Sequence, residues 1–122
     1  MQKSAVELKA KKQNDMSLKF TETKDSLIIT IEGRLDSVNA RSIAKKIETR
    51  LQGCTKDVIF NVEKLEYMTS AGLQVLLFVS KNRRAAGKNT FIHKPQKIVD
   101  YVIRISGFYA FLQKIDKIPP VS

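Results

Sequence analysis

Few side chains in this sequence have both the chemistry and the company that catalysis needs. His93 is the single histidine and Cys54 the single cysteine among 122 residues. His93 closes a short apolar run beside Lys94, with no nucleophile near it in sequence. It reads as a surface or structural residue rather than a general base. One histidine and one cysteine without paired spacing do not make a metal site. No Gly-x-x-x-x-Gly-Lys-[Ser/Thr] and no Gly-x-Gly-x-x-Gly occurs, so neither common phosphate-cradling loop is present. Cys54 follows Gly53 and reads as an ordinary small residue. The expectation is a protein that is not an enzyme and carries neither metal nor organic cofactor.

The residues that can change chemically are Thr69 and Ser70. They stand in Leu65-Glu66-Tyr67-Met68-Thr69-Ser70-Ala71-Gly72-Leu73. Val58 to Val62 before them reads as a strand buried on both faces. Leu73 to Val79 after them is apolar nearly all round, as in a buried helix. The two hydroxyls therefore sit at a helix start, where N–H groups lack partners and the dipole is positive. A hydroxyl there caps the helix, or it accepts a phosphoryl group that its own domain tolerates. Phosphate would add about −1.5 to −2 charge and three acceptor oxygens. Against a partner's surface that is a switch with little change of fold. Ala71 and Gly72 are small and leave the hydroxyl accessible.

The elements that must position this turn follow from periodicity. Leu18 and Phe20 alternate with Lys19 and Thr21 as on a half-buried strand. Lys24-Asp25-Ser26 signals a turn, and Leu27 to Ile31 reads as a second strand hairpinned to the first. Gly33-Arg34-Leu35-Asp36-Ser37 breaks that pattern, with Asp36 or Ser37 expected to cap the next helix. In that helix Ile43, Ile47 and Leu51 fall four apart, and Gly53 ends it. The helix begun near Ser70 is expected to run to about Ala86 and stop at Gly87, with Arg83 and Arg84 placed to interact with its dipole. Thr90 to Ile92 reads as a strand. Pro95 is expected to open a third helix, with Ile98, Val99, Val102 and Ile103 on its apolar face. Phe108 to Leu112 reads as a short helical turn entering a last strand.

The order β-β-α-β-α-β-α-(β) predicts one α/β domain, a mixed but mostly parallel sheet with helices packed on it. Its expected span is 16–118, with 119–122 a short tail. Residues 1–15 are Lys-rich, with Val6 and Leu8 too few to anchor a helix, and read as a flexible tail. Met16 is an alternative start. No apolar run reaches bilayer length and no secretory signal is evident, so a cytoplasmic location is expected. A single cysteine agrees with a reducing compartment.

The net charge is +10. Its excess is local: residues 81–104 hold seven basic side chains against one acidic. These are Lys81, Arg83, Arg84, Lys88, Lys94, Lys97 and Arg104. They form either a solvated face on two helices or a docking surface for an acidic partner, phosphate or anionic lipid. The aromatic interleaving of single-strand nucleic-acid binders is missing, so no direct nucleic-acid partner is expected.

Two motifs at matched spacing carry a resemblance. Gly33-Arg34-Leu35-Asp36, then Leu65 to Leu73 about thirty residues on, resemble the paired elements of the STAS domain family, and of its bacterial anti-sigma factor antagonists in particular. Ile105-Ser106-Gly107-Phe108 resembles the family's C-terminal turn. The likeness spans about residues 18–115. It implies a protein that binds an anti-sigma factor of the serine-kinase type and so frees a sigma factor. Phosphorylation ends the binding, and a PP2C-type phosphatase resets it. By position the phosphoacceptor is Ser70, with Thr69 the alternative. Gly72 and Leu73 shape the turn. The implied partner-binding set is Asp36, Ser37, Thr69, Ser70, Ala71, Gly72 and Gln74. Thr69 stands where the family usually has Asp, and Arg34 where Glu is commoner. The alternative that the same resemblance allows is a constitutive subunit of a larger assembly, such as a lipid-transport ATPase, whose Ser70 is never modified.

Overall fold

A computed structural model describes residues 16–121. The expected tail at 1–15 lies outside the described residues. Among the described residues six strands and three α-helices follow one another as β1 (Met16–Glu22), β2 (Ser26–Leu35), α1 (Ala40–Leu51), β3 (Asp57–Asn61), β4 (Leu65–Met68), α2 (Ser70–Ala85), β5 (Thr90–His93), α3 (Lys97–Ile105) and β6 (Gln113–Ile115). A 3-10 turn at Phe108–Ala110 leads into β6. The sheet order is β1-β2-β3-β5-β6, with β4 also paired to β2. Among the described strands β1 and β2 pair antiparallel and the other pairings are parallel. The expected α/β class and mostly parallel sheet are what the chain forms.

β2 organises the molecule. Its alternate residues Leu27, Ile29, Ile31 and Leu35 join one core cluster with Ile43 and Ile47 of α1, Leu76 and Val79 of α2, and Val99 and Ile103 of α3. Side chains alternate across a strand, so all three helices meet the same face of the sheet. Phe60 of β3 and Ile92 of β5 complete that core with no exposed surface.

β2 is also longer than the apolar run from Leu27 to Ile31 suggests. The chain does not break at Gly33. Gly33 sits within the strand at φ 93°, and opposite the step from Gly33 to Arg34 the partner β4 advances two residues, from Leu65 to Tyr67, so the extra residue is Glu66. Glycine takes this backbone at no steric cost. The first half of β2 pairs with β3, and its last three residues pair with β4. β4 itself was not expected. Its burial runs buried, exposed, exposed, buried, because the shift spoils the two-residue period that marks a strand.

Other local expectations need correction. Neither Asp36 nor Ser37 caps α1. Asn39 occupies the N-cap position without a side-chain cap bond. Asp36 Oδ1 instead accepts the N–H groups of Val38 at 3.0 Å and Asn39 at 3.3 Å, closing the turn ahead of the helix. Pro95 does not open α3, which starts two residues later, after Gln96. Ile98 is 45% exposed, so it lies off the buried stripe of Val99 and Ile103. α2 ends at Ala85, with Gly87 left-handed at φ 74° as its sequence position suggests.

Candidate functional site

The candidate surface lies where β2, β4 and α2 meet. Leu35 pairs with Met68, and the Thr69 N–H donates to the Leu35 carbonyl at 3.0 Å. This fixes the chain just before α2 against the end of β2. The next residue on each side is then a site residue, Asp36 after Leu35 and Ser70 after Thr69.

Ser70 is the first residue of α2 and is exposed. The first-turn N–H groups of a helix have no intrahelical acceptors, and no acidic side chain occupies this first turn. The local field therefore favours a negative group on Ser70. Thr69 is in the N-cap position, with extended backbone, and makes no side-chain cap bond. Its Oγ1 is buried and has no hydrogen-bond partner among the described residues. The two hydroxyls, adjacent in sequence, thus face different surroundings: one reaches solvent and one does not.

Gly72 works from beneath. A Cβ on it would lie 2.7 Å from Leu35 Cγ, 2.8 Å from the Leu35 carbonyl oxygen and 2.9 Å from Met68 Cγ. No side chain fits, so α2 can approach β2 and β4 only because residue 72 is glycine. Gly72 is buried and shapes the surface from within. Ala71 is half-buried; Gln74 is exposed one turn after Ser70, on the same side of the helix.

On the β2 side, Asp36 is half-buried and Ser37 exposed. Asp36 Oδ2 also lies 3.6 Å from Arg34 Nε. The Arg34 guanidinium sits 4.3 Å from the centroid of the Tyr67 ring. Tyr67 and Val38, 39% and 76% exposed, extend this surface with apolar area. Sequence reasoning missed both. Tyr67 faces Arg34 only through β4, which the periodicity conceals, and Val38 is a lone apolar residue in a polar turn.

The remaining candidates serve the fold. His93 is buried, with Nδ1 at 3.1 Å from Asn61 Oδ1 and Nε2 at 3.1 Å from the Asp116 carbonyl oxygen. It ties the C-terminal segment to the sheet. Arg83 is not a dipole partner at the surface. It is 3% exposed, and its guanidinium donates to the carbonyls of Cys54 at 3.1 Å and Lys56 at 2.7 Å. The basic segment is therefore not one face: Arg83 is internal, while Lys81, Arg84, Lys88, Lys94, Lys97 and Arg104 are exposed. Among the described residues no cluster of His, Cys, Asp and Glu could hold a metal ion. No helix among them is long and apolar enough to cross a membrane.

With this geometry in view, the chain belongs to the STAS domain family, whose profile matches residues 17–119. Two relatives refine the comparison. BtrV of Bordetella bronchiseptica, named as a candidate anti-sigma factor antagonist, is 28% identical over 93 residues, 76% of this chain and 80% of its own. The anti-sigma F factor antagonist of Lysinibacillus sphaericus is 28% identical over 86 residues, 70% of this chain and 74% of its own. Among solved structures, the anti-sigma factor antagonist SpoIIAA in its unphosphorylated form superposes with a TM-score of 0.72 at 23% identity, covering 83% of this chain and 90% of that one. The phosphorylated form of SpoIIAA from Bacillus gives 0.67 at 24% identity, covering 83% and 93%. At these identities the structural likeness is one of fold.

Proposed function

We propose that this protein is an anti-sigma factor antagonist whose binding is switched by phosphorylation at Ser70. It is a binding module and performs no catalysis of its own. Its unphosphorylated surface, around Asp36, Ser37, Ser70 and Gln74, docks on an anti-sigma factor of the serine-kinase type and so releases a sigma factor. The kinase transfers a phosphoryl group to the Ser70 hydroxyl. A PP2C-type phosphatase removes it.

One observation carries this reading: the exposed Ser70 hydroxyl at a helix start with no acid in its first turn, beside a Thr69 hydroxyl that is buried. The names of the relatives agree with it. Phosphate on Ser70 is accommodated by the free N–H groups of α2, so the domain stays folded. At the partner it buries an unpaired charge. That costs about 2–5 kcal/mol, roughly 30-fold to 4,000-fold in affinity.

The test is capture of the kinase from its native cells by wild type and by Ser70→Asp, with folding of both checked by circular dichroism. Wild type is expected to hold the kinase, and folded Ser70→Asp to lose it. Equal capture by both would overturn the switch.

A further inference from the structure

At the other end of α2 lies a cleft of about 270 Å³. It is some fourteen residues along the helix from Ser70, about 21 Å at 1.5 Å per residue. Ser80, Arg84, Lys88, Thr90, Tyr109 and Phe111 line it, and no acidic residue does. Its cations come from the basic segment that the Ser70 surface does not use.

Two features point to an anion. The Arg84 guanidinium lies 5.0 Å from the centroid of the Phe111 ring, which forms part of the same wall. Guanidinium groups bind oxyanions through several N–H donors at once. Lys88 adds a second positive charge with no carboxylate paired to it among the described residues. Thr90 is 4% exposed and lies beneath the cleft, with its Oγ1 sealed from it. The Ser80 hydroxyl already donates to the Phe111 carbonyl at 3.3 Å.

We propose that this cleft binds a small oxyanion of the phosphate or phosphomonoester class. The volume sets the class. It is below the roughly 300–1,000 Å³ of ordinary small-molecule pockets, so a nucleotide-sized ligand would not be enclosed. It leaves room for a phosphate with a few further atoms. Arg84 and Lys88 hold the charge, and Tyr109 and Phe111 border any organic part.

The experiment is an amide NMR titration of the full chain with inorganic phosphate and, separately, with glycerol phosphate, each against chloride at matched ionic strength. Saturable shifts are expected at Lys88, Asn89 and Thr90. In the Arg84→Gln/Lys88→Gln double variant affinity should fall at least tenfold. Tighter binding of glycerol phosphate supports a phosphomonoester, and equal binding supports the anion alone. Absence of saturable shifts with both probes overturns the proposal. So does unchanged affinity in the double variant, or saturable shifts confined to the start of α2.

Discussion

Gly72 and Leu35 are in closer contact than any residue with a side chain would permit. The missing Cβ would stand 2.8 Å from the Leu35 carbonyl oxygen, and that same carbonyl accepts the Thr69 N–H. The packing of α2 and the hydrogen bond that sets the Ser70 turn therefore depend on one peptide group. Gly72→Ala must push α2 away from it. The backbone at Leu35 cannot yield as a flexible side chain would, so the loss is expected at the upper end of overpacking costs, about 3 kcal/mol in urea unfolding. Partner binding should fall with it, even though residue 72 is buried.

The two adjacent hydroxyls should separate cleanly. Thr69→Val removes a buried hydroxyl that has no partner among the described residues, at nearly constant volume. Stability should stay the same or rise by up to about 1 kcal/mol. Incubated with its kinase and labelled ATP, Thr69→Val should still take up phosphate, while Ser70→Ala should take up none. Uptake by Ser70→Ala would move the acceptor elsewhere.

Arg83 and Arg84 are neighbours with unrelated roles. Arg83→Leu strands the carbonyls of Cys54 and Lys56, which receive its guanidinium protons. The expected cost is about 3 kcal/mol in denaturant unfolding. Arg84→Leu, at an exposed position, should stay within about 0.5 kcal/mol of wild type. Equal losses would contradict the internal placement of Arg83.

The C-terminal turn should make stability depend on pH at both extremes. The Asp100 carboxylate is held below its usual range, first by the hydrogen bond from Lys114 and then by that from Tyr109. Its stabilising effect is present above an ordinary aspartate pKa near 4 and fades as pH falls through the lowered value. Burial, followed by the bond to Asp100, pushes the Tyr109 phenol well above its usual range. Its contribution is intact below about pH 10 and declines as pH rises beyond that. Chemical denaturation from pH 2 to 11 should show both slopes. Asp100→Asn should flatten the acid limb, and Tyr109→Phe the alkaline one.

Much of this architecture can be read from spacing alone. Ile43, Ile47 and Leu51 announce the buried stripe of α1, and Gly87 marks where α2 stops. What spacing hides is non-local. Gly33 looks like a break because a glycine in a turn and a glycine opposite a bulge look alike, and only pairing with β4, whose Glu66 is the extra residue, tells them apart. Leu65 to Met68 lacks alternation because the register shift removes it. Asp36 looks like a helix cap because an Asx turn and an N-cap use the same carboxylate oxygen. At the site, the Ser70 position follows from the strand–turn–helix pattern. The contribution of Tyr67 does not, since its neighbour Arg34 is thirty-three positions away in the chain.

β2 serves two neighbours in turn, β3 with its first half and β4 with its last residues. A single backbone is thus the spine of the interior and the scaffold of the proposed docking face. Side chains that protrude from that face, among them Val38, Tyr67 and Gln74, can be exchanged without disturbing what lies below. Descendants of one ancestor could in this way acquire different binding companions while inheriting an unaltered frame.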